Sequence, residues 1–440
     1  MATAATDAER AWVLDSLSAY WGGQSASIAA LPLPRLRESC VENMPPRFVM
    51  VELPEWSRRH GIDGALLVPT QFVLQGDGPD WARVDWLGCA FWYLHAVAER
   101  VFELAHGPIH SYRFRLGNWD DRHWDHAWVN RIALFLREWG ARAQNADAAR
   151  YFGPLPRPEI VLTHDVDAVR KTMAISFKQS AFRGFNALRS WTRRRWREGA
   201  KQLGRALRFL VQPASYWRFD DLLLIEKQFG RTSRFNFYGG SGSPLRRPRD
   251  LLFDPGYSVE TPAVRDVLRT LRNAGHDIGL HPSFAAWNDP GRMASEKARL
   301  EAALGAPVDQ VRMHWLRFSW RDTWRTQIAC NLRDDSTLAF NDRPGFRVAA
   351  ALTFHPWDAE RQAPLTLSAT PMGLMDSQVY DYNTASPSER QSIMAKLIRE
   401  VHQVAGTITI NWHPHVLSPD FGWADGYREF LQLLDSEKCS

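Results

Sequence analysis

The chain has 440 residues, 45% hydrophobic and 12% aromatic, enough to bury at least one large core and to divide into two or more domains. This is the composition of a soluble globular protein, and no apolar run approaches the roughly 20 residues that a spanning helix needs. The net charge of +5 is local: residues 169–212 hold twelve Lys or Arg against one acid, Glu198, so that window carries +11 and the remainder −6.

The start, "MATAATDAERAWVLDSLSAYW", has acidic residues where a secretory signal carries a basic and then an apolar region, so a cytoplasmic location is expected. Cys40, Cys89, Cys330 and Cys439 lie far apart without a CxxC pair, which argues against a disulfide scaffold and against a cysteine zinc site. "DWLGCAFWYLHAVAERVFELAHG" and "HAWVNRIALFLREWGARAQ" both have apolar residues at helical spacing, so residues 1–155 are predicted to form a mainly helical accessory domain. The Pro-rich "YFGPLPRPE" at 151–159 marks the boundary, and residues 156–440 form the second domain.

Beyond the boundary, strands and helices alternate. "EIVLTH", "SRFNFYGG", "HDIGLH" and "TITINWH" read as strands; "FDDLLLIEKQFG", "TPAVRDVLRTLRNAG", "GRMASEKARLEAALG" and "MAKLIREVHQVAG" read as helices. This alternation predicts an α/β fold with a parallel sheet or barrel, in which functional residues gather at the carboxyl ends of the strands. Three polar clusters have that address: Asp165 with Asp167, His281, and His413.

Side chains two apart on a strand share a face, so Asp165 and Asp167 are expected to point the same way. Two carboxylates that close repel unless a cation or proton intervenes, although a solvated loop with a capping Asp has the same sequence. A single histidine is more often structural than a ligand. Acids and imidazoles delivered by separate strands to one end of a sheet are what an oxygen and nitrogen metal site requires.

In order, "LTHDVD", "SRFNFYGG", "GHDIGLHPSF", "QVRMHWLRF", "DDSTLAFNDRPGFRV" and "TITINWH" resemble the polysaccharide deacetylase (NodB-homology) family, carbohydrate esterase family 4, in the branch whose first motif is HDVD. The resemblance covers about residues 156–440, and the helical N-terminal part is similar to the extra domain that often precedes this branch. It implies a distorted (β/α) barrel and a metal-dependent hydrolase that removes an N-acetyl group from a sugar of a glycan or its lipid-linked precursor. By the same resemblance Asp165 is the general base, Asp167 and His281 are metal ligands, Arg312 orients the base, and His413 is the general acid. Ala285 stands where the family's metal motif has its second histidine. The third ligand is then His314, or a water fills the place, or the site has lost metal and activity; the first is the expectation adopted here.

The ion is expected to be divalent, Zn²⁺ by preference. Arg347, His355 and Trp357 are candidate substrate contacts, since a guanidinium and an aromatic ring suit a sugar's hydroxyls and its face. The basic stretch 169–212 interleaves Phe, Trp and Leu with Lys and Arg at helical spacing, which reads either as a helical insertion meeting an anionic membrane peripherally at the inner leaflet or as a solvated arm. No nucleic-acid recognition module accompanies it, so no nucleic-acid partner is expected. Two rival readings stay open: a glycosyltransferase whose DxD pair holds the cation of a nucleotide sugar, and a catalytically inactive carbohydrate- or membrane-binding module.

Overall fold

The computed structural model describes residues 5–36, 44–192, 194–242, 247–382 and 385–437. Its strands are β1 (Phe48–Glu52), β2 (Ala65–Pro69), β3 (Glu159–Val166), β4 (Arg234–Tyr238), β5 (Asp277–His281), β6 (Gln310–Val311), β7 (Asp334–Asp335), β8 (Trp357–Asp358), β9 (Ala363–Pro364), β10 (Ser368–Ala369), β11 (Met372–Met375) and β12 (Thr407–Asn411). Eight of them form one sheet in the order β10-β7-β6-β5-β4-β3-β12-β11, and the neighbours from β3 to β6, like β7 and β10, run parallel. Parallel neighbours need crossover connections, and helices Phe219–Gln228, Pro262–Asn273 and Pro290–Leu304 lie between successive strands. The chain thus has the α/β fold expected from its alternation of strands and helices.

Local signals explain most boundaries. The helix Pro290–Leu304 opens on Asp289, whose side chain accepts the Arg292 backbone N–H at 2.9 Å, and closes on Gly305 at φ 71°, a left-handed position that favours glycine. The helix Pro262–Asn273 begins with proline at its first position, where the missing N–H costs nothing.

Two features of the N-terminal segment depart from its helical pattern. The run 85–107 is two helices, Trp86–Leu94 and Val97–His106, broken where Ala96 adopts φ 50°. β1 and β2 pair antiparallel as a ribbon, because runs as short as "FVMVE" and "ALLVP" carry too little periodicity to separate strand from helix. Cys89 and Cys330 are buried free thiols; Cys40 and Cys439 lie outside the described residues.

The chain forms two compact units: Met1–Val161 with Trp315–Leu374 and Ser392–Ile410, and Leu162–His314 with Met375–Gln391 and Asn411–Ser440. The first is held around fully buried Trp21, Trp86, Trp124 and Phe135. It also buries an ion pair, Glu400 accepting from Arg131 at 2.6 and 2.8 Å and from the Ala127 backbone N–H at 3.1 Å. The second carries the carboxyl ends of β3, β4, β5 and β12.

Candidate metal centre

Strand alternation sorts the end of β3. His164 faces helices: its Nε2 lies 2.8 Å from Glu226 Oε1, and that oxygen also accepts from the Tyr427 hydroxyl at 2.6 Å. Thr163 and Asp165 face the other way, and both meet Arg312. The histidine of "HDVD" is therefore a packing residue, and the carboxylate beside it looks toward the strand ends.

Asp167, just past β3, meets two imidazoles. Its Oδ1 is 3.3 Å from His281 Nε2 and 3.5 Å from His314 Nε2. One donor atom from each of the three residues lies within 4.8 Å of the others. Ligands held about 2.1 Å from an ion at tetrahedral angles stand about 3.4 Å apart, so these spacings suit a zinc-like ion. Asp167 Oδ1 is buried yet takes no well-directed hydrogen bond, as expected of an oxygen built to meet a cation. The three residues fit the implied metal.

Each imidazole is aimed by the structure around it. His281, at the end of β5 and 2% exposed, donates from Nδ1 to the Arg312 carbonyl at 2.7 Å, which aims Nε2 at Asp167; burial would lower its pKa, but Asp165 and Asp167 raise it, so the neutral form that a metal needs is the one a bound cation would favour. His314 has Nδ1 3.5 Å from Asp254 Oδ1, and Asp254 in turn accepts the Phe284 backbone N–H at 2.7 Å. Immediately after His314 the backbone turns left-handed at Trp315 (φ 58°) and Leu316 (φ 47°), a conformation that costs non-glycine residues about 1–3 kcal/mol each and often marks functional sites. Burial lowers the His314 pKa, which favours the neutral form a metal needs.

Asp165, 2% exposed, is held from three sides. Its Oδ1 accepts from Asn236 Nδ2 at 2.7 Å and from Arg312 NH1 at 3.3 Å, and its backbone N–H donates to Asn411 Oδ1 at 3.0 Å. Burial pushes the carboxyl pKa up, but Arg312, His281 and His413 outweigh it, leaving Asp165 below the ordinary carboxylate range. Asn236 stands opposite Asp165 in the β3–β4 register and opposite Gly279 in the β4–β5 register. A Cβ at Gly279 would come within 2.3 Å of Asn236 Oδ1, so the glycine of "DIGLH" makes room for the amide that holds Asp165.

On the other side stands His413, just past β12. Asp376, fully buried at the start of the helix Asp376–Tyr380, accepts from His413 Nδ1 at 2.9 and 3.0 Å and from its backbone N–H at 2.6 Å. Burial alone would lower this imidazole; Asp376 first, then Asp167 and Asp165, raise it to about 10, which favours the protonated form at neutral pH. His413 Nε2 lies 3.5 Å from Asp167 Oδ2.

The structure therefore brings together Asp165, Asp167, His281, Arg312, His314 and His413. Sequence reasoning missed Asp376, Asn236 and Asp254. "MGLMD" carries for Asp376 the signal used at Asp165, an apolar strand ending in an acid; Asn236 and Asp254 carry none. Ala285, half-buried, offers no donor atom. Of the suggested substrate residues, Arg347 is 2% exposed and bonded to Glu99 at 2.8 Å, and Trp357 is buried against Trp12. His355 is exposed, with Nδ1 3.0 Å from the Leu367 carbonyl. All three belong to the first compact unit.

The sequence matches no family model and no curated protein. Solved structures do match. A protein from Mycobacterium smegmatis assigned as a polysaccharide deacetylase aligns over 63% of this chain and 84% of its own, at 17% identity and a TM-score of 0.38. The chitin deacetylase of the fungal pathogen Colletotrichum lindemuthianum aligns over 64% and 83%, at 13% identity and 0.31. A pseudoenzyme of carbohydrate esterase family 4 from Bacillus anthracis aligns over 64% and 62%, at 10% identity and 0.27.

Proposed function

We propose that this protein is a metal-dependent hydrolase that removes an N-acetyl group from a sugar of a glycan or of its lipid-linked precursor. The observation that carries the reading is the convergence on one centre of three elements: the Asp167, His281 and His314 donor set, the Arg312-held carboxylate of Asp165, and the Asp376-held imidazolium of His413.

Asp167, His281 and His314 would hold the ion. Two nitrogens and one oxygen favour Zn²⁺ over a hard ion such as Mg²⁺, which prefers oxygen ligands. When bound, a divalent ion there supplies Lewis acidity toward an amide carbonyl and a water molecule. Asp165, kept ionised by Arg312, accepts the proton of the attacking water at a carboxylate oxygen. Arg312 and Asn236 both bond to one oxygen, Oδ1, and so orient the carboxylate. His413 carries a proton on Nε2 and delivers it to the departing amine nitrogen, while Asp376 holds Nδ1 and the ring plane. Water is the nucleophile, and acetate and a free amine are the products.

Arg347 and Trp357 are left out of this reading because their side chains are spent on structural contacts. Residues 1–155 serve as the accessory domain and 156–440 carry the chemistry, every residue of the proposed centre lying in the latter range. A cytoplasmic location agrees with the free thiols of Cys89 and Cys330. The nucleotide-sugar transferase is the weaker reading, since Arg312 and Asn236 engage the first carboxylate of the DxD pair and leave only Asp167 for a cation. An inactive carbohydrate- or membrane-binding module is the other rival, and the test below separates it from the hydrolase.

The test is metal analysis of the purified protein together with acetate release from N-acetylglucosamine oligomers. About one zinc-like ion per chain and acetate release lost on chelation are expected. A chain that takes up no divalent ion, or that loads an ion but releases no acetate from any acetylated glycan offered, leaves the inactive module in place of the hydrolase.

A further inference from the structure

The basic stretch folds as a helical hairpin, Met173–Thr192 and Trp196–Val211, within the second compact unit. Its inner side is firmly seated. Phe209 packs with Ala168 and Tyr216, and Ser180 Oγ donates to the Ala206 carbonyl at 2.9 Å. Lys171 donates to the Phe209 and Gln212 carbonyls at 2.6 and 2.7 Å and pairs with Asp420 at 2.9 Å. Gln179 donates to the Asp381 carboxylate at 3.1 Å and Asn186 to the Asp381 carbonyl at 3.2 Å, at the end of the same helix that begins with Asp376.

The outer side is the opposite of an ordinary solvated helix face. Phe177, Phe185 and Leu188 are 61, 61 and 58% exposed, and Trp196, Leu207 and Val211 are 66, 59 and 81% exposed. At about 100° per residue the first three fall within roughly 80° of arc and the last three within roughly 60°, so each helix carries one apolar stripe. Arg197, Lys201, Arg205 and Arg208 are exposed along the flank of the second stripe, and Arg194 and Arg195 are exposed where the two helices join.

Neither helix is long and apolar enough to cross a bilayer. Apolar stripes with cations beside them instead match the boundary between acyl chains and anionic headgroups. Charge selects this occupant over a second copy of the chain, because face-to-face hairpins would set two strongly basic surfaces against each other.

We propose that the hairpin 173–211 is an interfacial docking element that seats the protein on an anionic lipid surface, its apolar stripes entering the headgroup boundary and its arginines meeting the lipid phosphates. This inference stands apart from the hydrolase reading, since vesicle binding is read without substrate.

The test is sedimentation of the full chain with vesicles of phosphatidylcholine alone or with phosphatidylglycerol added. The expected result is binding to the anionic vesicles, weakening as salt rises, and none to the neutral ones. Two variants separate the contributions: Trp196→Ser with Leu207→Ser and Val211→Ser, and Arg194→Gln with Arg195→Gln, Arg197→Gln and Lys201→Gln. Each should lower the partition coefficient at least roughly tenfold while leaving metal content, circular dichroism and hydrolysis of a soluble acetylated sugar unchanged. The proposal is overturned if the wild type stays in the supernatant, or if a folded apolar variant binds as well as the wild type, which would reduce the effect to bulk charge. It is equally overturned if the wild type self-associates in a way that the apolar variant abolishes and neither binds vesicles, since the stripes would then be a contact between copies.

Discussion

Asp376 grips His413 twice, through Nδ1 at 2.9 and 3.0 Å and through the backbone N–H at 2.6 Å, so one buried carboxylate sets both the ring's orientation and its charge. Asp376→Asn removes the largest of the interactions that raise His413. A raised imidazole pKa means that the proton donor is present below about 10 and lost above it. The variant should therefore lose activity at a lower pH than the wild type. The alkaline limb of kcat/KM is expected to move down by more than about one unit, since a partly buried ion pair is worth at least that much. A pH–rate profile measures this, and an unmoved limb removes His413 as the acid.

Asp165→Asn separates base from ligand. The amide is isosteric and keeps the contact region filled, but it cannot accept the water's proton. Metal content should stay at the wild-type level while kcat falls by about 10²–10⁴. Asp167→Ala and His281→Ala should instead lose the metal, with little change in the thermal unfolding midpoint. Stoichiometric metal in both of these variants would contradict the assignment of the donor set.

His314→Ala tests the proposed third ligand. His314→Ala should weaken metal affinity by about 10–100-fold, read by competition with a chelating dye. Ala285→His in that background would offer an imidazole from the place that the family motif uses, and partial recovery of affinity is expected. Unchanged affinity in the single variant would leave His314 a packing residue.

Gly279→Ala probes the site from beneath. The added methyl would come within 2.3 Å of Asn236 Oδ1 and displace the amide that donates to Asp165. Turnover should fall while metal affinity changes less than in His314→Ala, because Asn236 bonds to Asp165, the proposed base, and to none of the three proposed ligands. Equal losses of both would mean that the clash spreads through β5 to His281.

Glu400 gives a stability prediction for the first compact unit. Burial raises its carboxyl, but bonds from His126 and Arg131 lower it to about 2, below its unfolded value of roughly 4.3. A depressed carboxylate contributes stability above the unfolded pKa and loses it as pH falls through the folded one. The contribution is about 3 kcal/mol at pH 7 and fades between roughly pH 5 and pH 2. Urea midpoints of the wild type should fall across that range. Glu400→Gln should flatten the dependence and cost about 3–5 kcal/mol at neutral pH, because Arg131 is left buried without its partner.

Much of this was legible in the chain itself. The parallel strands showed as short apolar runs between amphipathic helices, and the acids and imidazoles stood where those runs end, because an α/β sheet delivers side chains from its carboxyl edge. Period-2 alternation pairs Asp165 with Asp167, although the same residues fit a solvated loop, and Asp167 lies just past the end of β3. The same alternation sets His164 and Asp165 on opposite faces, but that the His164 face packs on helices is known only from the structure.

Other features were decided only in three dimensions. β6, β7 and β10 are two residues long, too short for any period to show, and they exist because the neighbouring strand supplies their hydrogen bonds. Asp376 and Asn236 are remote in sequence from the groups they hold; only strand register and the approach of two chain segments bring a carboxylate under His413 and an amide beside Asp165. The place of His314 beside Asp167 and His281, where Ala285 offers no nitrogen, is of the same kind, since it depends on where an imidazole comes to rest and not on its place in a motif. Sequence carries local periodicity and chemistry along one dimension, whereas which donors share a point in space is set by packing.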